Sequence, residues 1–419
     1  MHELNAAPFG FEPEEIDFLL LTHAHLDHCG RIPLLVKRGF RGEIICTAAT
    51  RDLSRVVMMD SAHLHEEEAR RRRHHGHHDV EPLYDTLDAF DSLDRFGRVA
   101  EYNQPVHLWN GGTATFFDAG HILGSASIRL DLIEETERRS ILFSGDIGPQ
   151  DRRLLNAPAP PSGVDAVVME TTYGDRDHRS LTESVAEFTE AVQDAAERGG
   201  NVIIPTFALE RAQELLFYLR EGMEAGDISS STHVFLDSPM AISATELFRR
   251  HPEAMNPHVA AMIRHGKDPF KVPGLHFLRD TADSIALNRI RSGAIIMAGS
   301  GMCTGGRVRH HLRHNLAHSD CSIIFVGFAA KGTLARSIVD GARTVKLFGD
   351  EVRVKAKIHT INGFSAHAGR HELLDWHRRA GTPARTFLIH GEAETREKFA
   401  GVLKGTKIEM PDMHQSYDL

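Results

Sequence analysis

The sequence is poor in cysteine, in aromatic residues and in long apolar runs. Four cysteines occur in 419 residues, and their scattered positions fit neither a disulfide framework nor a zinc knuckle: Cys29, Cys46, Cys303 and Cys321. A reducing cytoplasm is therefore the predicted location. No apolar stretch approaches the roughly 20 residues of a membrane span. The N-terminal segment MHELNAAPFGF also lacks the basic end and apolar centre of a signal peptide.

An excess of positive charge is also missing. With 48 basic and 58 acidic residues, the formal net charge is −10, which argues against a protein that binds nucleic acid over its whole surface. A local basic cleft is not excluded, because metal ions in a site add positive charge that a residue count omits. The length and the ordinary hydrophobic content of 41% predict two or three domains with ample cores.

The pattern of apolar runs divides the chain into parts. In residues 1–178, strands such as TATFF and SILFSGD accompany a long polar middle. HHGHH at 74–78, in that middle, is predicted to be a solvated surface tract rather than a metal site. In residues 179–355, apolar strands alternate with amphipathic helices, which predicts a mostly parallel sheet covered on both faces. Residues 356–419 return to the first pattern, so the middle part is predicted to be an insertion into the first domain.

The stretch LLLTHAHLDHCGRIP at 19–33 places four potential metal ligands directly after an apolar run: His23, His25, Asp27 and His28. Imidazole and carboxylate are the usual ligands of zinc; a polar turn that happens to contain histidines is the alternative. A two-metal site needs about six or seven protein donors. The remaining donors are expected just past other strand ends, where the sequence offers His121 in FFDAGHILGS, Asp146 in LFSGD and His390 in FLIHGE.

These motifs carry a family resemblance. HAHLDH, GHILGS and SGD resemble the metallo-β-lactamase superfamily, and METTYGDR, GFSAHAG and LIHGE resemble its β-CASP branch of nucleases. The match runs over nearly the whole chain and includes PTFALERAQELL, DSPMAISATELF, GSGMCTGGR and GTLARSIVDG. GSGMCTGGR is similar to the cleavage-and-polyadenylation endonuclease type rather than to RNase J. The implied fold is an α/β protein, an αββα sandwich split by an inserted α/β domain.

The resemblance assigns the ligands of two zinc ions. One zinc would be held by His23, His25 and His121, the second by Asp27, His28 and His390, with Asp146 bridging the two. Two metals about 3.5–4 Å apart can share a hydroxide, lower its pKa and clamp both oxygens of an in-line displacement. Asp27 or Asp146 could also orient that nucleophile.

A phosphodiesterase also needs a proton for the departing oxygen. His367, in GFSAHAG, is the candidate general acid, since histidine titrates in the useful range. Glu170, in VVMETTYGD, follows an apolar strand and could keep His367 protonated by pairing with it. The family pattern gives these two residues that joint role, whereas isolated His and Glu residues usually have structural or solvent roles.

GSGMCTGGR lies between a predicted strand and a predicted helix, where glycine amides favour anions. It lacks the GK[ST] ending of a P-loop, and a simple tight turn is the alternative. We predict phosphate contacts from this loop, extended by basic residues and by the serine of GFSAHAG. The predicted set is Ser300, Gly301, Thr304, Gly305, Gly306, Arg307, Lys331, Arg336 and Ser365.

The predicted function is a zinc-dependent ribonuclease in RNA processing or decay that leaves 5′-phosphate and 3′-hydroxyl ends. RNA is preferred because the histidine in LIHGE resembles the RNA-acting members of the branch. Single strands are expected, because an RNA helix would not easily thread a cleft between two domains. The alternatives are a DNA nuclease, a small-molecule hydrolase and a catalytically inactive RNA-binding or scaffold partner. The choice between endonuclease and exonuclease and a homodimeric state stay open.

The N-terminus departs from the family pattern. Relatives begin roughly forty residues earlier, with a strand, a turn and a further strand that carries an aspartate, whereas this sequence starts directly before HAHLDH. A start codon assigned too late is the expected explanation, and a truncated product is the alternative. Missing strands would leave apolar surface and unpaired strand edges.

Overall fold

The computed structural model describes residues 5–74, 80–327, 329–381 and 383–418. The chain divides into two compact units. Unit 1 comprises Met1–Gln150, Leu155–Asp177 and His367–Leu419, and unit 2 comprises Asp151–Leu154 and His178–Ala366. The domain borders expected from the sequence, after residues 178 and 355, remain a prediction. In the described residues, no helix is long and apolar enough to cross a membrane.

The described chain up to residue 177 contains both strands and helices, and its helices lie before residue 96. The strands are β1 (Phe18–Leu20), β2 (Glu43–Cys46), β3 (Phe96–Val99), β4 (Pro105–Trp109), β5 (Gly112–Asp118), β6 (Ala126–Glu134), β7 (Glu137–Phe143) and β8 (Ala166–Glu170). The helices are α1 (Leu26–Cys29), α2 (Ile32–Lys37), α3 (Ala48–His74) and α4 (Thr86–Ser92). Short 3-10 helices cover Pro13–Glu15 and Leu93–Arg95.

Strands and helices alternate in the rest of the chain, as the sequence pattern predicts. The middle part contains α5 (Leu181–Glu197), β9 (Val202–Pro205), α6 (Arg211–Ala225), β10 (His233–Asp237), α7 (Pro239–Arg250), α8 (Pro257–Arg264), β11 (Leu275–Phe277), α9 (Thr281–Leu287), β12 (Ala294–Ala298), α10 (Val308–Asn315), β13 (Ser322–Val326), α11 (Leu334–Val339), β14 (Thr344–Leu347), β15 (Asp350–Arg353) and β16 (Lys357–Ile361). A 3-10 helix covers Pro252–Ala254. The last part contains α12 (Arg370–Arg379), β17 (Arg385–Ile389), α13 (Ala393–Val402) and β18 (Lys407–Glu409).

Unit 1 is a four-layered sandwich. A parallel sheet in the order β1-β2-β3 faces a larger sheet in the order β18-β17-β8-β7-β6-β5-β4, and apolar side chains such as Ile45, Phe116 and Ile128 fill the space between them. Trp376 of α12 and Phe399 of α13 pack on the strands β7, β8 and β17. Helices α2, α3 and α4 form the remaining layer around a small apolar core. This arrangement confirms the predicted αββα fold.

The polar middle of unit 1 belongs largely to the long helix α3. Three glutamates at 66–68 precede three arginines at 70–72, each pair spaced i, i+4 and in contact. Such pairs support an exposed helix by about 0.3–0.5 kcal/mol each. His74 ends α3, and residues 75–78 of the HHGHH tract lie outside the described residues.

Unit 2 is built on a parallel sheet in the order β11-β10-β12-β9-β13-β16. Every residue of β12 and β13 is buried, as expected for parallel strands covered on both faces. Helices α10 and α11 pack on this sheet around Ile203, Ile296 and Ile323. The antiparallel pair β14-β15 forms a separate small sheet. The predicted doubly covered parallel sheet is therefore present.

A cluster of buried charges lies inside unit 2. The guanidinium of Arg152 lies 2.9 Å from Glu210 and 3.3 Å from Glu214, and all three side chains are at most 2% exposed. Arg211 also contacts Glu214. Burial raises the pKa of Glu210 to about 8, although Arg152 opposes this shift. Nη1 of Arg152 also donates to the carbonyl of Ser365, so one arginine joins three segments of the unit.

We expect Arg152→Ala to lower the free energy of unfolding by about 3–5 kcal/mol, because it leaves buried carboxyl groups without their donor. Arg153→Ala is the matched control: Arg153 is 44% exposed and pairs with the partly exposed Glu221, so its loss should cost less than about 1 kcal/mol. Urea denaturation of both variants tests the difference. Equal shifts of the two midpoints would contradict a structural role for the buried cluster.

Candidate metal centre

One edge of the large sheet of unit 1 collects the polar residues of the site. β5 and β7 are both antiparallel to β6, and β7, β8 and β17 are mutually parallel neighbours, so these four strands run in one direction. Their carboxyl ends therefore meet at the same edge. His121 follows β5, Asp146 follows β7, Glu170 ends β8 and His390 follows β17.

The HAHLDH segment reaches this edge from the small sheet. It leaves β1 at residue 20, and the carbonyl of Thr22 accepts a hydrogen bond from the amide of Ala126 on β6. His25 then precedes the first residue of α1, a short helix that carries Asp27 and His28. The strand, the connection and the helical turn explain why four ligands can lie so close in sequence and still face one centre.

The structure gathers the seven predicted ligands into two adjoining groups. In the first, one ligand atom from each of four residues lies within 4.8 Å of the others: His23, His25, His121 and Asp146. In the second, the same holds for Asp27, His28 and His390. The division matches the assignment implied by the resemblance, although the metal-binding roles themselves remain a prediction.

Asp146 connects the two groups. Its Oδ2 lies 3.4 Å from Nε2 of His23, 3.4 Å from Nε2 of His28 and 3.5 Å from Nε2 of His121. Its Oδ1 lies 3.4 Å from Nδ1 of His390. A single carboxylate thus contacts imidazoles of both groups, which is the position that a bridging ligand requires.

The protonation states differ between the groups. Loss of hydration on burial lowers the pKa of His25 to about 3, and the neighbouring His23 adds to the effect. Burial also lowers the pKa of His23 and of His121. These imidazoles are therefore neutral near pH 7, which is the form that binds metal. His390 behaves oppositely, because its hydrogen bond to Asp27 raises its pKa to about 9.

The donor set fits a metal centre. Three buried atoms at the site have no hydrogen-bond partner among the described residues: Nε2 of His23, Nε2 of His28 and Oδ1 of Asp146. Leaving such atoms unsatisfied costs about 1–3 kcal/mol each, and cations bound at the two groups would satisfy all three. Imidazole and carboxylate donors without thiolates are the chemistry of zinc sites that act on substrates.

His367 and Glu170 adjoin the same centre. Nδ1 of His367 lies 3.1 Å from Oε1 of Glu170, and the ring of His367 lies at a tilt of 51° to that of His121 with centroids 4.5 Å apart. Glu170 is buried and held by the amides of Ile147 and Thr172. Burial alone would lower the pKa of His367, but the charges of Glu170 and Asp146 outweigh it, so the pKa is raised.

Sequence reasoning missed two threonines that orient the ligands. Oγ1 of Thr22 lies 3.1 Å from Nδ1 of His23, and Oγ1 of Thr172 lies 3.2 Å from Nδ1 of His390. Such outer contacts fix the ring orientation of metal ligands. Thr22 directly precedes the first histidine and could have been found from that position. Thr172 lies 218 residues from its partner, and no local pattern connects the two.

The predicted phosphate loop belongs to unit 2. Residues 299–307 connect β12 to α10, with Thr304 exposed and its Oγ1 3.5 Å from Oγ of Ser300. At Gly306, φ is +75° and a Cβ would lie 2.3 Å from the carbonyl oxygen of Gly299, so only glycine fits there. Lys331 is exposed. It lies beside this loop, because the amide of the neighbouring Ala330 contacts Sδ of Met302 in the loop.

Three predicted substrate contacts are engaged within the protein. Arg307 donates to Oδ1 of Asp237 and to the carbonyls of Leu278 and Arg279. Arg336 forms an ion pair with Asp340. Ser365 is buried, and its carbonyl accepts from Arg152. A phosphate contact from any of them remains a prediction, and for Arg307 it would compete with a buried carboxylate.

Three family models match this chain. The one described as the Metallo-beta-lactamase superfamily matches residues 2–206. The Beta-Casp domain matches residues 212–338. The model described as the Zn-dependent metallo-hydrolase RNA specificity domain matches residues 351–411.

Curated relatives extend over most of the chain. It is 39% identical to Ribonuclease TTHA0252 of Thermus thermophilus, over 93% of this chain and 84% of that protein. It is 30% identical to Transcription termination factor FttA of Methanocaldococcus jannaschii and 32% identical to that of Methanococcus maripaludis. Those matches span 94% and 91% of this chain but only 61% and 59% of the relatives.

Among solved structures, a protein of unknown function from Enterococcus faecalis V583 has a TM-score of 0.54 at 11% identity. The match covers 94% of this chain and 79% of that one. At this identity, the likeness supports the fold alone.

The two ligand groups should differ in proton release when metal binds. His390 is protonated at pH 7 because its pKa is about 9, so metal at the second group must displace about one proton. The first group is neutral already and should release none. Affinity at the second group should then rise roughly tenfold per pH unit up to about pH 9. Calorimetric zinc titrations in buffers of different ionisation enthalpy measure this; equal proton release at both steps would contradict it.

Proposed function

This chain belongs to the β-CASP family of the metallo-β-lactamase superfamily, and on that premise we propose that it is a two-zinc ribonuclease that hydrolyses single-stranded RNA. The observation that carries the proposal is that three groups of side chains lie next to one another in unit 1. The first contains four potential metal donors, one of which is Asp146, and the second contains three, one of which is His390. The third is the pair of His367 and Glu170 beside Asp146. Metal donors and a charged acid side by side are what hydrolysis of a phosphodiester needs.

Two bound zinc ions would supply Lewis acidity and lower the pKa of water in the site. The seven ligands named above would hold them. The two oxygens of Asp146 lie within 3.5 Å of four imidazoles. Thr22 and Thr172 fix two of those rings, so the donor geometry is set before substrate arrives.

His367 would donate the proton to the departing oxygen. Its Nδ1 is engaged by Glu170, which makes Nε2 the donating nitrogen. The buried carboxylate of Glu170 stabilises the imidazolium and raises the pKa of His367, which favours the charged form that donates a proton. Glu170 cannot rotate away, because two backbone amides hold its carboxylate.

RNA is the proposed substrate for three reasons. The family model that covers residues 351–411 is described as an RNA specificity domain, and the relative that shares 39% identity is named a ribonuclease. The third reason is His390 in LIHGE, which lies in the second ligand group and is the histidine that resembles the RNA-acting members of the branch. We extend the proposal to RNA processing or decay in the cytoplasm. Buried cysteines without disulfides among the described residues are consistent with that location. A homodimer stays open.

Transcription termination is not proposed. The chain spans only about 60% of the length of the factors that carry that name. A small-molecule hydrolase is disfavoured, because such an enzyme has no need of a second unit with a glycine-rich loop. An inactive scaffold is disfavoured by the seven converging donors. A DNA nuclease remains the alternative that shares this chemistry.

We expect the full chain to bind about two zinc ions and to cleave labelled single-stranded RNA faster than DNA of the same sequence. Zinc is counted by elemental mass spectrometry, and both substrates are assayed in parallel. The products should carry 5′-phosphate and 3′-hydroxyl ends. Faster cleavage of DNA would assign the alternative substrate, and zinc-loaded protein that cleaves neither would contradict a nuclease.

His367→Ala should lower kcat by about 10²–10⁴ without loss of zinc, because it removes only the proton donor. His371→Ala is the matched control, since His371 lies four residues away, is 76% exposed and pairs with Asp177; its rate should stay close to that of the wild type. Loss of zinc from His367→Ala, or equal rates for both variants, would contradict the general-acid role.

Glu170→Gln should shift the alkaline limb of the pH–rate profile to lower pH. The rate falls as pH rises through the pKa of His367, because the acid loses its proton, and Glu170 raises that pKa. Removing the carboxylate charge lowers it, so activity is lost at a lower pH than in the wild type. If the maximal rate falls but the alkaline limb of the pH–rate profile stays at the same pH, this charge effect is contradicted.

A further inference from the structure

We propose that Phe207 of unit 2 is a stacking surface for a base of the substrate, beside a phosphate held by the 299–306 loop. The inference rests on the proposed ribonuclease function and deepens it. The chain has few aromatic residues, 7% of its length, and sequence reasoning could not select a stacking residue from them. Single-stranded nucleic acid is generally bound by aromatic rings next to groups that contact phosphate.

The strand order of unit 2 locates the ligand-binding edge independently of the motif. In an open parallel sheet, ligands bind outside the carboxyl ends of the strands, where connections leave in opposite directions. β9 and β12 are neighbours in the sheet. The connection after β9 leads to β10, on one side of this pair, and the connection after β12 leads to β13, on the other side. Phe207 follows β9, and the 299–306 loop follows β12.

Contacts join the two connections at this point. The amide of Thr206 donates to the carbonyl of Ala298 at 3.0 Å. A Cβ on Gly301 would lie 2.7 Å from Cε2 of Phe207, so the ring would have to shift if this residue carried a side chain. The ring therefore lies directly against the backbone of Gly301, where there is no side chain to separate them.

Phe207 is nevertheless 43% exposed. A ring held against backbone on one side and open to solvent on the other loses little conformational freedom when a base stacks on it. The hydroxyls of Ser300 and Thr304, in the same loop, can donate to phosphate oxygens. Ring and hydroxyls together form a subsite for one nucleotide, and the apolar contact suits any base.

The test measures RNA affinity of zinc-loaded full-length protein by fluorescence anisotropy. Every variant carries His367→Ala, so that the RNA stays intact. Two ligands of equal length are compared: a single-stranded RNA and an oligomer of abasic sugar-phosphate units. Phe207→Ala should weaken binding of the RNA by about 5- to 150-fold and leave binding of the abasic oligomer unchanged.

Three further variants separate stacking from folding. Phe207→Leu keeps apolar bulk against Gly301 and should lose RNA affinity as Phe207→Ala does, whereas Phe207→Tyr should retain it. Phe348→Ala is the matched control, because Phe348 is also 43% exposed but lies between β14 and β15, and its RNA affinity should stay unchanged.

Two results would overturn the inference while the proposed function stands, with wild-type protein still cleaving RNA. One is equal RNA affinity of Phe207→Ala and Phe348→Ala. The other is equal loss on RNA and on the abasic oligomer, which would mean that the ring supports the loop rather than a base. If wild-type protein neither cleaves nor binds RNA, the proposed function fails, and the stacking role fails with it.

Discussion

The carboxylate of Asp146 is the constraint on which the site of unit 1 depends. It is almost fully buried, yet it stays ionised, because imidazoles that approach its two oxygens hold its pKa well below the usual range even though burial opposes this. Those imidazoles come from the HAHLDH segment, from the connection after β5 and from the connection after β17. The common direction of the strands brings these imidazoles to one sheet edge, and the buried carboxylate of Asp146 lies at the point where they meet.

Much of this could be predicted from the sequence, because the informative residues are local. An apolar run followed by polar residues marks the end of a strand. Polar residues that follow strands running in one direction lie at the same edge of the sheet, so they come close together. The alternation of strands and helices also predicted the parallel sheet of unit 2. The separation of the ligands into two groups came from the family resemblance; spacing alone left it open.

The rest could not be predicted, because it depends on contacts between distant residues. The guanidinium of Arg307 was expected to face phosphate, but Asp237, 70 residues away, accepts its hydrogen bond inside unit 2. His311 and Ser284 contact the other oxygen of the same carboxylate. Arg307 thus helps to fix the shape of the glycine-rich loop. Phe207 lies in a strand-like run of the sequence, and only the structure shows that its ring lies against Gly301.

The split of unit 1 along the chain has a consequence in time. Asp27 and His390 are 363 residues apart, so at a synthesis rate of about 5–20 residues per second, roughly 20 to 70 seconds separate their appearance. Throughout that interval the HAHLDH segment exists without the residues that complete its site. Under the proposed function, a nascent chain would have no finished centre with which to cut the messenger that encodes it, and catalytic competence would come only when nearly all of the chain has been translated.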